Sequence, residues 1–164
     1  MPKLRSGPLS VRLRPLTLPD DIALAMPWYA DPDVLHFSEG TTVPFDADRI
    51  EGMYRWLSVR GQVFIIEVCD GGWTAVGDIS LCENLMPIVI GDARYRGRGV
   101  GSQALGLLIE EAKTLGWTKL VAHQIFSFNE RSLKLFEKFG FRKTDTGVDS
   151  QGREFFRYEK ELSG

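Results

Sequence analysis

Three glycines and three arginines share eight consecutive positions, Arg94-Tyr95-Arg96-Gly97-Arg98-Gly99-Val100-Gly101, and Ser102 follows. The stretch falls between a short apolar strand and the longest helix read from the chain. Glycines let a backbone turn tightly and approach a ligand with no Cβ in the way. Their N–H groups open a helix N-terminus, which carries about half a positive charge. Such a loop is an anion cradle, suited to a phosphate or pyrophosphate. The plain alternative is a Gly-rich turn with solvated arginines; the arginines together with the following helix favour phosphate. No Gly-Lys-Ser/Thr follows, so this is not a Walker loop. Gly99-x-Gly101-x-x-Ala104 matches the relaxed dinucleotide fingerprint, which calls for an acid about 20 residues on. His123-Gln124-Ile125-Phe126 supplies none, and the motif follows a β-meander past mid-chain. Nicotinamide binding therefore stands as the lesser alternative.

Other reactive side chains gather upstream. Asp31, Asp33 and Glu39 lie with His36 in an aromatic stretch that includes Trp28, Tyr29 and Phe37. They are candidates to meet a cationic or amine-bearing substrate, with the aromatics and Trp56 divided between a pocket and the core. His36 and His123 are the only histidines, too few and too far apart to suggest a metal site. His123 reads as a core histidine in a buried strand. Cys69 and Cys82 cannot build a disulfide framework or a four-cysteine zinc site. They read as buried hydrophobes on neighbouring strands. No metal is expected.

The 164 residues suit one domain, able to bury about 68–70% of its unfolded surface. A 43% hydrophobic and 26% charged content is that of a globular protein. The net charge of −2 argues against a dedicated nucleic-acid binder. Its distribution is uneven. Residues 94–143 hold ten Lys or Arg against four Asp or Glu, and residues 1–93 hold seven against thirteen. One segment is suited to anions; the other is suited to cations if its acids converge. Apolar runs are too short to span a bilayer and no signal-peptide core is visible. The expectation is a cytoplasmic protein with no membrane or nucleic-acid partner, monomeric or homodimeric.

The elements that must position these residues follow from periodicity. Ser10–Leu16 reads as a strand. A helix is expected from Leu18 to about Tyr29, then a short one through His36, then another over Asp46–Leu57. Gln62–Cys69 and Trp73–Leu81 read as a hairpin across Asp70-Gly71-Gly72. Met86–Ile90 is a short strand whose Pro87 predicts an edge, a strand start or a bulge. Val100–Leu115 is the longest helix, Lys119–Phe126 a buried strand, and Asn129–Phe139 a helix with Asn129 as N-cap. Phe141–Thr146 and Arg153–Leu162 close the chain as a hairpin. The order gives a mixed α/β or α+β single domain.

At the glycine loop the chain resembles a known family. Arg96-x-x-Gly99-x-Gly101 resembles the acetyl-CoA pyrophosphate loop of the Gcn5-related N-acetyltransferases (GNAT). Asn129-Glu130-Arg131-Ser132-Leu133-Lys134-Leu135-Phe136-Glu137-Lys138-Phe139-Gly140-Phe141 is similar to that family's second cofactor segment. Their spacing and the preceding β-meander match as well, over about residues 10–162. Trp28-Tyr29-x-Asp31-Pro32-x-Val34 resembles the first helical region of the ribosomal-protein and aminoglycoside N-acetyltransferase branches.

The resemblance implies one N-acetyltransferase domain over residues 1–164. Its fold would be a mostly antiparallel central sheet of about seven strands flanked by about four helices. A V-shaped splay would separate the strand at 86–92 from the strand at 119–126. It implies acetyl-CoA as donor, with pyrophosphate held by N–H groups of Arg96, Gly97, Arg98, Gly99, Val100, Gly101 and Ser102. Pantetheine would lie along Ile88, Val89 and Ile90 and meet the Asn129 amide. Arg131, with Lys134 and Lys138, could approach the 3′-phosphate. The sequence departs from the family at Phe136, where a Tyr often protonates the leaving thiolate. It departs again on strand 86–90, which carries no acid. Ser132 is then the candidate to order a proton-donating water, and Glu83, or Asp92, the candidate base acting through water. Trp28, Asp31, Asp33, His36 and Glu39 are the acceptor-side candidates. The implied reaction is acetyl transfer to a primary amine of a small molecule or protein N-terminus, by direct attack in a ternary complex. The competing reading is a non-catalytic acyl-CoA-binding or regulatory module. An RNA-binding protein using the Arg94–Arg98 cluster is disfavoured by the acidic balance elsewhere and the lack of a stacking strand.

Overall fold

The computed structural model describes residues 9–162, so the ends of the expected 1–164 domain lie outside the described residues. The order is β1 (Ser10–Pro15), α1 (Ile22–Ala25), α2 (Pro32–Val34), α3 (Ala47–Arg60), β2 (Gly61–Cys69), β3 (Trp73–Cys82), β4 (Ile88–Ile90), α4 (Val100–Thr114), β5 (Lys119–Phe126), α5 (Glu130–Lys138), β6 (Arg142–Val148) and β7 (Glu154–Glu161). A 3-10 turn at Trp28–Ala30 and a π turn at Leu35–Glu39 bracket α2, and a second 3-10 turn spans Ala93–Tyr95. No helix among the described residues is long and apolar enough to cross a membrane.

The seven strands form two antiparallel sheets, β1-β2-β3-β4 and β5-β7-β6. The expected splay at β4 and β5 is therefore complete, since no ladder joins them among the described residues. Local sequence explains both open edges. On β4 the Arg96 guanidinium takes the groove-side carbonyl of Ile90, while Pro87, immediately before the strand, faces β3 and accepts there from the Ser80 N–H. In β5 the register slips between Ala122 and Ile125, and His123 and Gln124 bulge outward there. His123 is consequently exposed, which corrects its reading as a core histidine.

The first helix is also shorter than its pattern suggests. The Asp21 carboxylate is spent on tertiary contacts. It accepts two bonds from the Arg14 guanidinium, each 3.0 Å, and one from the Thr17 N–H at 2.7 Å. Pro27 lacks the N–H that would continue the helix past Met26. The later helices keep their expected ends. The Asp46 side chain accepts from the Arg49 N–H at α3, and Asn129 accepts from the Ser132 N–H at α5.

Two apolar clusters hold the layers together. One packs Leu105 and Leu108 of α4 against Ile79 and Leu120 of β3 and β5. The other packs Tyr29, Leu35, Ile50 and Leu57 against Ile65 and Val89. Inside the second cluster lies a buried charge. The Tyr29 and Tyr54 phenols both donate to Asp78 Oδ2, at 2.7 and 2.8 Å. Asp78 is directly opposite Val89 in the β3–β4 ladder. The trio thus ties the Trp28–Ala30 turn and α3 to the strand pair that borders the splay.

Burial pushes the Asp78 carboxyl up to about 6, although the two phenol bonds pull the other way. The folded chain thus binds this proton more readily than the unfolded one. The stability it contributes is present below the ordinary carboxylate range and is lost as pH rises through about 6. Asp78→Asn keeps an acceptor oxygen without the charge. Its melting temperature should match or exceed the parent's at neutral pH, with the gap closing by mildly acidic pH. Asp78→Leu strands both phenols and should cost about 1–3 kcal/mol for each. Thermal denaturation across pH checks both, and a gap that stays constant with pH would contradict the assignment.

Candidate functional site

A groove runs through the splay between the two sheets. It has two chambers, of about 540 and 350 Å³. Phe37, Ser38, Ile88, Val89, Asn129 and Ser132 line both, so the chambers are adjacent and share a wall. The larger ends at the glycine loop. The smaller ends between Glu39, Trp56 and His123.

The glycine loop enters α4 through a left-handed turn. Gly97 has φ +71° and Gly99, the residue before α4, has φ +79°. A side chain at either position is strained by φ alone. No atom lies within 4 Å of where their Cβ atoms would stand, so the backbone faces open space. Gly99, Val100, Gly101 and Ser102 all line the larger chamber. This is the form of an anion cradle at a helix N-terminus.

The three arginines do different things. Arg96 is largely buried and acts as a clamp. Its Nε donates to the Ile90 carbonyl at 2.9 Å, and one terminal nitrogen donates to the Gly91 carbonyl at 3.2 Å and to Asp31 at 3.1 Å. Arg98 sits 5.5 Å over the Tyr95 ring and does not line the chamber. Arg94 is held by Asp92. Arg96 nonetheless lines the larger chamber, and further positive charge arrives from α5. The Lys138 ammonium donates to the Ser102 hydroxyl at 2.7 Å, and the exposed Arg131 lines the chamber.

Along the shared wall, hydrogen bonds sort the backbone of β4. Ser80 N–H donates to the Pro87 carbonyl and Gly91 N–H to the Val76 carbonyl. Antiparallel pairing alternates by two, so Val89 also faces β3. The main-chain groups of Ile88 and Ile90 then face the groove. The Ile90 carbonyl is taken by Arg96, which leaves its N–H turned to the splay. Opposite, Asn129 does two jobs: its oxygen caps α5 and its amide donates to the Phe37 carbonyl at 3.2 Å. Phe136 is buried against Phe141, with ring centroids 5.0 Å apart, and its edge reaches the smaller chamber. Ser132, one turn earlier, reaches both chambers.

The acceptor-side candidates separate. Glu39 lines the smaller chamber, where burial and then the charge of Asp78 push its carboxyl up to about 7, against a smaller pull from Arg49. Asp33 lines the larger chamber instead, and Asp31 caps α2 and pairs with Arg96. His36 stacks on Phe128 at 4.7 Å, outside both linings. Trp28 is core: a Cβ on Gly91 would lie 2.1 Å from its ring. Glu83 is exposed in the turn after β3 and lines neither chamber. Asp92 caps the Ala93–Tyr95 turn, and the Arg94 guanidinium holds its carboxyl below the usual range. Two chamber residues escaped the sequence reading. His123 and Gln124 were signalled by a polar pair interrupting an apolar strand, the mark of a bulge. Among the described residues no group of three or more His, Cys, Asp or Glu is placed to hold a metal.

The clamp reading of Arg96 is testable. Hydrogen bonds to a charged group contribute about 1.5–3 kcal/mol each. Arg96→Ala and Arg96→Lys should both lower the melting temperature, because a lysine cannot span the Ile90, Gly91 and Asp31 oxygens. Full stability in Arg96→Lys would mean that charge alone matters there.

With this geometry in hand, known proteins are informative. A domain from Methanocaldococcus jannaschii superposes with a TM-score of 0.80 at 27% identity, covering 94% of this chain and 99% of that one. A spermidine N-acetyltransferase from Vibrio cholerae, solved with CoA and spermine, shares the fold with a TM-score of 0.76 at 16% identity, over 92% and 95% of the two chains. The human alpha/beta-tubulin-N-acetyltransferase 9 is 30% identical over 138 residues. That match covers 80% of this chain and 59% of the human protein, and a curated Methanocaldococcus jannaschii relative is matched over only 28% of its length. The acetyltransferase (GNAT) domain pattern matches residues 10–142, most of the described fold and all of the groove's walls. The two parted sheets, the glycine loop at the head of α4 and this match agree: the chain belongs to the GNAT acetyltransferase family.

Proposed function

We propose that the chain is an acetyl-CoA-dependent N-acetyltransferase that moves the acetyl group to a primary amine by direct attack in a ternary complex. One observation carries this reading. A glycine-rich helix N-terminus lines one chamber and the Glu39 carboxylate lines the other, and the two chambers have six lining residues in common. The open Gly97 and Gly99 backbone fits a pyrophosphate, and the Ile88–Ile90 edge fits an extended amide-bearing arm. Acetyl-CoA supplies a thioester, whose carbonyl carbon forms a bond to the amine nitrogen as its C–S bond breaks. Glu39 takes the proton that the amine must lose. The Ile90 N–H is turned to receive the developing charge on the carbonyl oxygen. Phe136 has no proton to give, so the Ser132 hydroxyl, or a water on it, serves the leaving sulfur. A thiolate with a pKa of about 8.5 leaves tolerably without a strong acid. The free cysteines accord with a reducing, cytoplasmic setting. The second reading, a non-catalytic acyl-CoA-binding module, rests on the missing phenol at Phe136. Turnover with a panel of amines separates the two.

Three outcomes are expected. Glu39→Gln should lower kcat/KM about 10²-fold or more, as loss of a general base does, while Glu83→Gln changes it less than about threefold. In the parent, kcat/KM should rise with pH through about 7 as the Glu39 carboxyl ionises, and that inflection should vanish in Glu39→Gln. Gly99→Val places a branched side chain in a left-handed backbone facing the cradle, and should weaken CoA binding more than about tenfold in a folded protein. Calorimetry with CoA and with NADH checks this, and NADH binding without CoA binding would refute the assignment.

A further inference from the structure

Resting on the acetyl-transfer reading, we infer that the acceptor is a singly charged amine with an apolar group beside its amine-bearing carbon. An aliphatic or aromatic residue at a peptide N-terminus presents such a group. Polyamines and aminoglycosides do not.

The smaller chamber is built for one charge. Among its described lining residues Glu39 is the single carboxylate. The two other acids of the same stretch are engaged elsewhere, Asp31 on Arg96 and Asp33 at the larger chamber. Nearby charge is already paired. The Arg153 guanidinium lies 4.9 Å over the Phe126 ring, is bonded to Asp149 at 2.8 Å and donates to the carbonyl of Gly40, the residue after Glu39. The second and third charges of a polyamine would therefore meet no further carboxylate among the described residues lining the chamber. Desolvating unpaired charge is costly.

The rest of the lining is mixed, with Ser38, His123, Gln124, Asn129 and Ser132 set among apolar side chains. Phe37 and Trp56 keep 39% and 47% of their surface exposed at its walls, beside Leu85, Met86 and Ile125. Two solvent-reaching aromatics in a half-open chamber are placed to cover an apolar substituent. The Arg60 guanidinium lies 3.7 Å over the Trp56 ring and holds it against its own helix.

Proton affinity points the same way. The Glu39 carboxyl sits near 7, and α-amino groups sit at about 7.7–8.0, so proton transfer between them is nearly level. An alkylamine at about 10.4 holds its proton roughly a thousandfold more tightly.

The test measures acetyl transfer from acetyl-CoA to five acceptors: phenylalaninamide, the peptides Phe-Ala-Gly-Gly and Asp-Ala-Gly-Gly, spermidine and kanamycin. The expected result is a kcat/KM for the Phe acceptors at least tenfold above the other three. The faster of the two Phe acceptors tells whether the source is a free amine or a polypeptide end. Trp56→Ala, a change on an exposed helix face, should shrink the Phe-over-Asp ratio at least fivefold, chiefly through KM. Spermidine or kanamycin matching the Phe peptide overturns the inference and leaves acetyl transfer standing. An unchanged ratio in Trp56→Ala overturns it too. No turnover of any acceptor overturns acetyl transfer as well.

Discussion

Two strands that belong side by side in sequence logic do not pair, and the groove exists because of that. A strand edge left open presents N–H and C=O groups that need partners. On β4 the protein answers with Arg96, which takes the Ile90 carbonyl. On β5 it answers with the bulge at His123 and Gln124, which turns the strand out of register. The Asn129 amide, donated to the Phe37 carbonyl, bridges from the start of α5 to the turn after α2 across the groove. Each device satisfies a polar group locally, so the sheets have no reason to close. The backbone still free, at Ile88 and Ile90, is what an extended ligand can pair with as a neighbouring strand would.

Charge is arranged in the same spirit. The second apolar cluster contains an ionisable group because Tyr29 and Tyr54 donate to it from two directions. Asp78 then acts at a distance on the groove. Its charge is one of the two causes that lift Glu39 toward neutrality, after burial itself. A structural carboxylate in the core thereby tunes a carboxylate in the site. At the other end, the arginine-rich loop contributes less direct charge than its composition suggests. Arg96 is consumed by backbone carbonyls and Asp31, and Arg94 by Asp92. What the loop presents to the chamber is N–H groups and the α4 terminus, with Arg131 lining the same chamber and Lys138 bonded to Ser102 from α5.

Much of this was legible in the chain. Periodicity placed α3, α4, α5 and the strands within a few residues, because those segments bury one regular face each. Glycines at fixed offsets marked the loop because few other residues accept a left-handed backbone. Pro87 announced a strand start, and Asn129 an N-cap, from local chemistry alone. The helix expected from Leu18 failed because Asp21 serves a tertiary ion pair with Arg14 and Pro27 cuts the helix short. Neither the pairing nor its dominance is visible in an i, i+4 pattern.

Which acid does what was decided only by the tertiary structure. Asp31, Asp33 and Glu39 are near neighbours in sequence, yet Glu39, at the end of the π turn Leu35–Glu39, lines the smaller chamber, Asp33 lines the larger and Asp31 pairs with Arg96. Glu83 is adjacent to the right strand but emerges into solvent. His123 looked buried because its strand is, and the bulge exposed it. Residue type and spacing thus determined the elements, the phosphate-suited loop and the family resemblance, since these rest on interactions within a few residues. Burial, ionisation and pairing depend on what long-range packing brings within a few ångströms, and no local pattern encodes that.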